Sequence, residues 1–370
     1  MLTGAGFAQS LGGLSVSAID NVVERLRTTA WKPMEPWNLM HSMAVDRLLH
    51  ALRERYGTEY NFEVLLSALE DTLPFSDADQ FHPSMSTLRS MAVLANWDPR
   101  IMRDVLEMVN HAILVAIEES LLQIDETRMA PSRTFFRSLV EAFRIVHSDL
   151  NYDEYSTFSY PPEIVDDGFR GNGWPQSFNP RDFHRSEARV LLMHLHGSAL
   201  YRYRDGFVKV SEPGMRTLPT SVDRLDGLRY NAIISGTRKL EQFAVLPFLS
   251  YFQRFTNAIL TTPRLLIIGY GGGDLHLNTY LSLFREVHRD DARVVWLTKN
   301  ESLRDERVTA RSLMALYAGY RYRADEDAFL SAMLPDAEGF ARLNGLLVGM
   351  HGFGDILSGT DRIIRHLQGE

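Results

Sequence analysis

The stretch Arg264-Leu-Leu-Ile-Ile-Gly-Tyr-Gly-Gly-Gly-Asp274 decides the fold, because an apolar run leads directly into a glycine-rich loop. Arg264 to Ile268 therefore predicts a buried strand. A helical apolar pattern follows over Leu277 to Val287, and a second buried strand is predicted over Arg293 to Thr298. The order strand, loop, helix and strand predicts a parallel sheet with right-handed crossovers.

The rest of the chain divides into a helical stretch and a mixed stretch. Apolar residues recur at helical spacing from Pro36 to about Leu150, which predicts an almost wholly helical region. Val190 to His194 then predicts a short buried strand, and Tyr201 to Val210 a hairpin that turns at Asp205-Gly206. Only Met1-Leu2-Thr3 stand before the first glycine, so we expect the strand there to be shortened or cut by the start of the chain.

Together these elements predict an α/β protein with a Rossmann-like parallel sheet, a large helical insertion and a helical C-terminal tail. The chain has 370 residues, enough for one large domain or two ordinary ones. We assign residues 1–35 and 146–325 to the Rossmann-like domain, 36–145 to the helical insertion and 326–370 to a helical C-terminal segment.

Composition excludes several classes of function. A net charge of −8 argues against direct binding of nucleic acid, which usually requires a basic surface. The chain has no cysteine, which excludes disulfides, thiolate zinc sites, iron–sulfur clusters and a cysteine nucleophile, and fits a cytoplasmic location. No apolar run approaches the roughly 20 residues of a membrane span, so we expect no membrane association.

Two glycine segments are candidates for binding a nucleotide. One is Gly4-Ala5-Gly6-Phe7, followed by Gly12-Gly13, and the other is Gly269-Tyr270-Gly271-Gly272-Gly273-Asp274. Glycines let the backbone approach a pyrophosphate closely, and the side chains of Asp274 and Asn278 could contact ribose hydroxyls. An ordinary tight turn is the alternative at each segment.

Two further segments carry polar groups suited to catalysis. In Asn151-Tyr152-Asp153, the Asn151 amide could hold a water or a ribose hydroxyl, and Asp153 could accept from a carboxamide. A turn capping the preceding segment is the alternative. In Leu195-His196-Gly197-Ser198, His196 follows a predicted strand and is a candidate general base. The alternatives are a structural histidine, His194 in the same role, and a metal site formed by the two histidines.

In their order and types, these segments resemble the sirtuin-like superfamily, and more closely its bacterial branch found in antiphage defence. The resemblance is carried by Gly4 to Phe7, by Ser-Asp-Leu-Asn-Tyr-Asp from Ser148 to Asp153, by Leu195 to Ser198 and by Ile267 to Asn278. It implies a Rossmann-like fold that binds NAD as substrate, with a helical block inserted after the first glycine loop.

The resemblance also implies roles for single residues. Asn151 would position the attacking water or the ribose, His196 would act as general base, and Asp153 would lie near the nicotinamide carboxamide. The rest of the dinucleotide would be held by Gly4, Ala5, Gly6, Phe7, Gly197, Ser198, Gly269, Tyr270, Gly271, Asp274 and Asn278.

Departures from the family pattern separate the possible activities. The four-cysteine zinc module of the peptide deacylases is missing, so no metal is expected, and Gly12 to Ser17 replaces their Gly-Ile-Pro-Asp-Phe-Arg run. Both departures favour NAD hydrolysis over deacylation. Ala8 stands where a serine is usual, and Asp149 is unusual before the asparagine motif.

We therefore expect an NAD hydrolase that acts as the effector of an antiphage defence system and depletes NAD when activated. The resemblance implies a homo-oligomer with a partner defence protein, a HerA-type ATPase being favoured over a short Argonaute-type protein. The first alternative is a non-catalytic scaffold that binds NAD or ADP-ribose. A protein deacylase or ADP-ribosyltransferase is a less favoured alternative.

Overall fold

A computed structural model gives the fold. It describes residues 1–27, 39–57, 60–72, 99–210, 221–223, 229–234, 239, 243–299, 333–343, 345–353 and 359–370. The predicted domain boundaries at 35/36 and 325/326 lie outside the described residues.

The secondary structure alternates strands with helices around one long helical segment. The strands are β1 Leu2–Thr3, β2 Ile145–Asp149, β3 Val165–Asp166, β4 Phe169–Arg170, β5 Gln176–Phe178, β6 Val190–His194, β7 Tyr201–Tyr203, β8 Phe207–Lys209, β9 Ser221–Asp223, β10 Arg229–Asn231, β11 Arg264–Ile268, β12 Arg293–Leu297, β13 Phe340–Leu343 and β14 Leu346–Gly349. The helices are α1 Ala5–Ser10, α2 Val16–Arg25, α3 Leu39–Tyr56, α4 Phe62–Thr72, α5 Pro99–Leu121, α6 Glu126–Ala142, α7 Tyr155–Phe158, α8 Pro180–Arg185, α9 Phe248–Thr261, α10 Leu275–His288 and α11 Thr360–Gln368. None of the described helices is long and apolar enough to cross a membrane.

Within the described residues, an eight-stranded sheet with the order β13-β14-β12-β11-β1-β2-β6-β3 forms the centre of the fold. All neighbours in it are parallel except the pair β13 and β14. In this sheet β2, β6 and β3 lie on one side of β1, and β11, which comes later in the chain, lies on the other side. The predicted α/β fold with a Rossmann-like parallel sheet is confirmed, and the reversal of strand order beside β1 is where such sheets leave a crevice for a ligand.

The register of the central strands fixes which loops meet. Thr3 is paired with both Ile268 and Asp149, and Asp149 is paired with His194. These four residues end β11, β1, β2 and β6, so the four strands finish level with one another. The loops that begin at the next residues therefore leave the sheet along one edge, beside the reversal of strand order.

Helices cover both faces of the sheet, which explains the continuous apolar runs in its strands. Leu266 and Ile268 pack into a core shared with α2 to α6 and α11. Leu265 and Ile267, on the opposite face of the same strand, pack with α9 and α10. The apolar run that predicted β11 is thus explained by burial on both sides.

The first strand of the sheet is short. β1 is 2 residues long, whereas β2 and β11 on either side are 5 residues long. Because Leu2 pairs with Ser148 and Ile267, both neighbours extend beyond the start of β1. A cavity of about 370 Å³ lies there, with Met1, Val146 and Leu265 in its lining.

The predicted helical stretch is wrong at its C-terminal end. β2 occupies Ile145–Asp149, although helix was expected to about Leu150. Its last three residues, His147, Ser148 and Asp149, are polar yet buried, so the strand lacks the apolar run that marks β6 and β11. This polar segment forms a strand because it pairs with β1 and β6, which are distant in the sequence. A local sequence pattern does not indicate such pairing.

The C-terminal tail also differs from the prediction. Helix was expected over 326–370, whereas β13 and β14 form an antiparallel hairpin that joins the central sheet. Gly345 lies in the turn with φ of 77°. The helix α11 after it agrees with the prediction, as does the hairpin of β7 and β8 at Asp205-Gly206.

Candidate active site

A small cavity lies at the carboxyl edge of the sheet, beside β1, β2 and β6. Its volume is about 100 Å³, and its lining includes Ala5, Asn151, Asp153 and His196. Sequence segments that are far apart in the chain therefore meet in one place. The helical insertion closes the opposite side with Phe62, Glu63, Ile117 and Ser120.

The backbone around His196 is held by a neighbouring segment. Gly197 has φ of 90°, and a Cβ there would lie 1.9 Å from the carbonyl oxygen of Ala232. The backbone N–H of Ile234 donates to the His196 carbonyl at 2.7 Å. The glycine after the histidine is therefore required by close packing and a left-handed backbone, and these contacts fix where the imidazole enters the cavity.

The His196 side chain forms a pair with Asp274. Its Nε2 lies 3.0 Å from Asp274 Oδ2, and both side chains are buried. Because a carboxylate only accepts, Nε2 carries the proton and Nδ1 is left as the basic nitrogen. Burial, and then the charge of Lys239, lower the pKa of His196, so the ring is neutral at pH 7 and able to accept a proton.

The two carboxylate oxygens of Asp274 make different contacts. Oδ1 caps α10 by accepting from the backbone N–H groups of His276 and Leu277, and Oδ2 contacts His196 and Lys239, each at 3.0 Å. Burial acts to raise the pKa of Asp274, but the hydrogen bonds and charges of His196 and Lys239 outweigh it and hold the pKa well below its ordinary value. Its place beside His196 suits it to orient the imidazole.

Sequence reasoning missed Lys239 and Glu63. Lys239 Nζ lies 3.0 Å from Asp274 Oδ2 and 3.5 Å from Glu63 Oε1, and Glu63 also accepts from the Tyr152 hydroxyl at 3.4 Å. These contacts tie the insertion helix α4 to the cavity. Lys239 and Glu63 lie in no recognisable motif, so the sequence did not indicate them. Of the residues in these contacts, Tyr152 lies in a motif named from the sequence.

The Asn151 and Asp153 side chains are both buried and both reach the cavity. Asn151 Nδ2 donates to Asp149 Oδ1 at 2.8 Å, and Asp153 Oδ1 accepts from the backbone N–H of Tyr155 at 3.2 Å. Burial, followed by the nearby charge of Asp149, raises the pKa of Asp153 well above its ordinary value. A protonated Asp153 can donate as well as accept, which suits contact with an amide ligand.

The first glycine segment packs against the second. A Cβ on Gly4 would lie 2.8 Å from the Gly269 carbonyl oxygen, and one on Gly269 would lie 2.1 Å from the Phe7 nitrogen. Gly6 N–H donates to the Gly269 carbonyl at 2.9 Å. These glycines therefore have a structural role in joining the loops after β1 and β11. The Phe7 ring lies in the core, 5.2 Å from the ring centroid of Phe353.

The second glycine segment is held by its own side chains. Tyr270 donates from its hydroxyl to Asn278 Oδ1 at 3.0 Å, and Asn278 Nδ2 donates to the Gly272 carbonyl at 2.6 Å. Both ends of the Asn278 amide are thus used within the loop. Gly271 is exposed, and no described atom lies within 4 Å of a Cβ built on it.

Ser198 and His194 lie behind the cavity. Ser198 is fully buried and donates to Glu154 Oε1, while His194 Nε2 lies 3.4 Å from Glu154 Oε2. His194, the alternative candidate for general base, is therefore enclosed and is not in the cavity lining. Among the residues that the structure describes, no group of three or more histidine, aspartate or glutamate side chains could hold a metal ion.

Comparisons with known proteins give no further guide to function. No protein-family model matches the chain, and no curated protein is significantly similar to it. The functional interpretation therefore depends on the motifs in the sequence and on the geometry of the cavity.

Proposed function

We propose that this protein is an NAD glycohydrolase, which converts NAD and water into nicotinamide, ADP-ribose and a proton. The observation that supports it best is the meeting of the buried side chains of Asn151 and His196 in one small cavity beside the reversal of strand order. His196 is neutral and paired with Asp274, as a general base requires.

The proposed reaction uses these groups at the ribose. The bond between the ribose C1′ and the pyridinium nitrogen breaks, and its electron pair leaves with neutral nicotinamide. Water attacks the resulting oxocarbenium-like carbon and loses a proton to His196 Nδ1. Asn151 Oδ1 accepts a hydrogen bond from the ribose hydroxyl or the water, because its Nδ2 already donates to Asp149. Asp153 contacts the carboxamide of nicotinamide.

The cavity is too small for NAD, which implies that NAD binds when the residues around the cavity are arranged differently. Pockets for ligands of drug size hold about 300–1,000 Å³, whereas this cavity holds about 100 Å³. Glu63 and Ile117 of the insertion narrow it. We therefore propose that the chain cleaves NAD slowly until assembly or a partner moves the insertion away from the sheet edge.

The biological role that we propose is that of an effector in antiphage defence. It is supported by the resemblance of the four motifs to the defence branch of the sirtuin-like superfamily. The proposed partner is a HerA-type ATPase, with a short Argonaute-type protein as the alternative, and the active form is a homo-oligomer. In infected cells that carry the gene with its genomic neighbour, NAD is expected to fall, and Asn151→Ala is expected to prevent that fall.

The direct test measures free nicotinamide and ADP-ribose after incubation with NAD, for the protein alone and with its genomic neighbour. Wild type releases both products, whereas Asn151→Ala and His196→Ala release neither. The matched controls are Asn172→Ala, at an exposed asparagine, and His50→Ala, whose side chain is 75% exposed. Equal cleavage by wild type and both site variants contradicts the site. Binding of NAD without turnover in any condition favours the scaffold instead.

A further inference from the structure

Asp149 stands directly behind the proposed catalytic asparagine. It ends β2 and is fully buried. Its Oδ1 accepts three hydrogen bonds: from Thr3 Oγ1 at 2.9 Å, from the Asn151 backbone N–H at 3.1 Å and from Asn151 Nδ2 at 2.8 Å. The residue that departs from the family pattern thus binds Asn151 at two atoms.

This contact decides which end of the Asn151 amide faces a ligand. The two ends of an amide have nearly the same shape, and rotation about χ2 exchanges them. Asp149 Oδ1 already accepts from Thr3 and from the Asn151 backbone, so only the NH₂ end fits against it. Asn151 Oδ1 is then the end available to the cavity, as an acceptor for a ribose hydroxyl or for water.

A second pair of atoms lies on the far side of the carboxyl group. Asp149 Oδ2 and His194 Nδ1 are 3.7 Å apart, and within the described residues neither has a hydrogen-bond partner. Burial raises the pKa of Asp149, and the charge of His194 opposes that shift. Any proton on Asp149 belongs on Oδ2, since three donors surround Oδ1. Oδ1 therefore accepts from Asn151 in either protonation state.

We infer that Asp149 is a positioning residue, which holds the Asn151 amide with its oxygen toward the cavity and thereby sets the rate of the proposed NAD cleavage. This inference rests on the proposed function for its effect on rate. The orientation of the amide is independent of that function and can be measured separately.

The kinetic test compares two substitutions of Asp149 under conditions in which wild type releases nicotinamide. Asp149→Ala lowers kcat by about 100-fold, because a misplaced catalytic group costs about that much. Asp149→Asn keeps an acceptor oxygen in the same place and loses less than about 10-fold.

The control variant is Asp166→Ala, which removes another buried aspartate, from the edge strand β3. It keeps kcat, although it lowers the melting temperature. An equal fall in kcat for Asp149→Asn and Asp149→Ala overturns the inference, because asparagine keeps the acceptor oxygen against Asn151. So does unchanged kcat in both Asp149 variants while the Asn151→Ala enzyme is inactive.

A second measurement does not depend on turnover. In protein labelled with ¹⁵N at asparagine, the Asn151 side-chain signal is identified by its loss in Asn151→Ala. We expect this NH₂ group to exchange slowly with solvent in wild type and rapidly in Asp149→Ala. Equal exchange in both overturns the positioning role. Failure of the wild type to release nicotinamide, with the exchange difference present, overturns only the proposed function.

Discussion

Asp274→Asn is expected to remove most of the NAD cleavage while keeping the cap of α10. In the structure Oδ1 accepts from the backbone of α10, and Oδ2 contacts His196 and Lys239. Asparagine is as good an N-cap residue as aspartate. The substitution therefore removes the charge beside His196 and leaves the helix start in place.

The magnitude of the stability loss follows from the burial of Lys239. The side chains of Lys239 and Asp274 are 7% and 8% exposed, and removal of one partner from a buried ion pair costs about 3–5 kcal/mol. Glu63, 3.5 Å from Lys239 Nζ, compensates in part, so we expect a value near the lower limit, about 3 kcal/mol. Asp274→Ala loses the cap as well, which costs about 1 kcal/mol more.

The loss of activity follows from the tautomer of His196. An asparagine in place of Asp274 can present its NH₂ group to the ring, which favours the wrong tautomer, and in a catalytic triad such a change lowers kcat by about 10⁴-fold. We expect a loss between about 10² and 10⁴-fold here. Lys239→Met in the Asp274→Asn background removes the unpaired cation, so it recovers stability without recovering activity.

The assay combines urea unfolding with nicotinamide release for wild type, Asp274→Asn, Asp274→Ala and the double variant Lys239→Met/Asp274→Asn. Cleavage by Asp274→Asn within about 3-fold of wild type refutes the role of the pair with His196. A double variant that is as unstable as Asp274→Asn refutes the stability argument, because it means that the cation was not the source of the loss.

Three further predictions concern other parts of the fold and site. Gly269 has φ of 63°, and a Cβ there would lie 2.1 Å from a backbone nitrogen, so Gly269→Ala costs about 2–4 kcal/mol in thermal unfolding. The control Gly271→Ala stays within about 0.5 kcal/mol of wild type. Equal melting temperatures for the two variants contradict the close contact at Gly269. Because burial and Lys239 lower the pKa of His196 from 6.5, we expect kcat/KM to fall on the acid side only below pH 6.5. Lys239→Met moves that fall to higher pH, because it removes a charge that lowers the pKa. An acid-side fall above pH 6.5 in wild type contradicts the role of His196 as general base. Lys209→Met removes the buried cation beside Glu154, and the hydrogen bond from Ser198 does not replace that charge, so we expect a cost of about 3–5 kcal/mol in urea unfolding. A cost below about 1 kcal/mol would mean that the ion pair is exposed in solution.

The sequence predicts those strands whose apolar runs are continuous. β6 and β11 are buried on both faces, so nearly every position is apolar and no alternation is needed. β2 ends in three buried polar residues, and it becomes a strand through pairing with β1 and β6. The hairpin of β13 and β14 did carry a local signal, the Asn-Gly dipeptide at 344–345, within a tail expected to be helical.

The sequence also predicted only part of the candidate site. The motifs named Asn151, Asp153 and His196, and the structure brings all three to one cavity because β2 and β6 end level with each other. The pairing of His196 with Asp274, and of Asp274 with Lys239, joins residues far apart in the chain. No local pattern indicates such pairs, since they form only when the chain has folded.

The central claim is that Asn151 and His196 act together on NAD, and release of nicotinamide tests it most directly. With NAD and with the proposed partner, wild type is expected to form nicotinamide and ADP-ribose in equal amounts, and Asn151→Ala to leave NAD intact. Equal release of nicotinamide by wild type and Asn151→Ala, with both proteins folded, contradicts the claim.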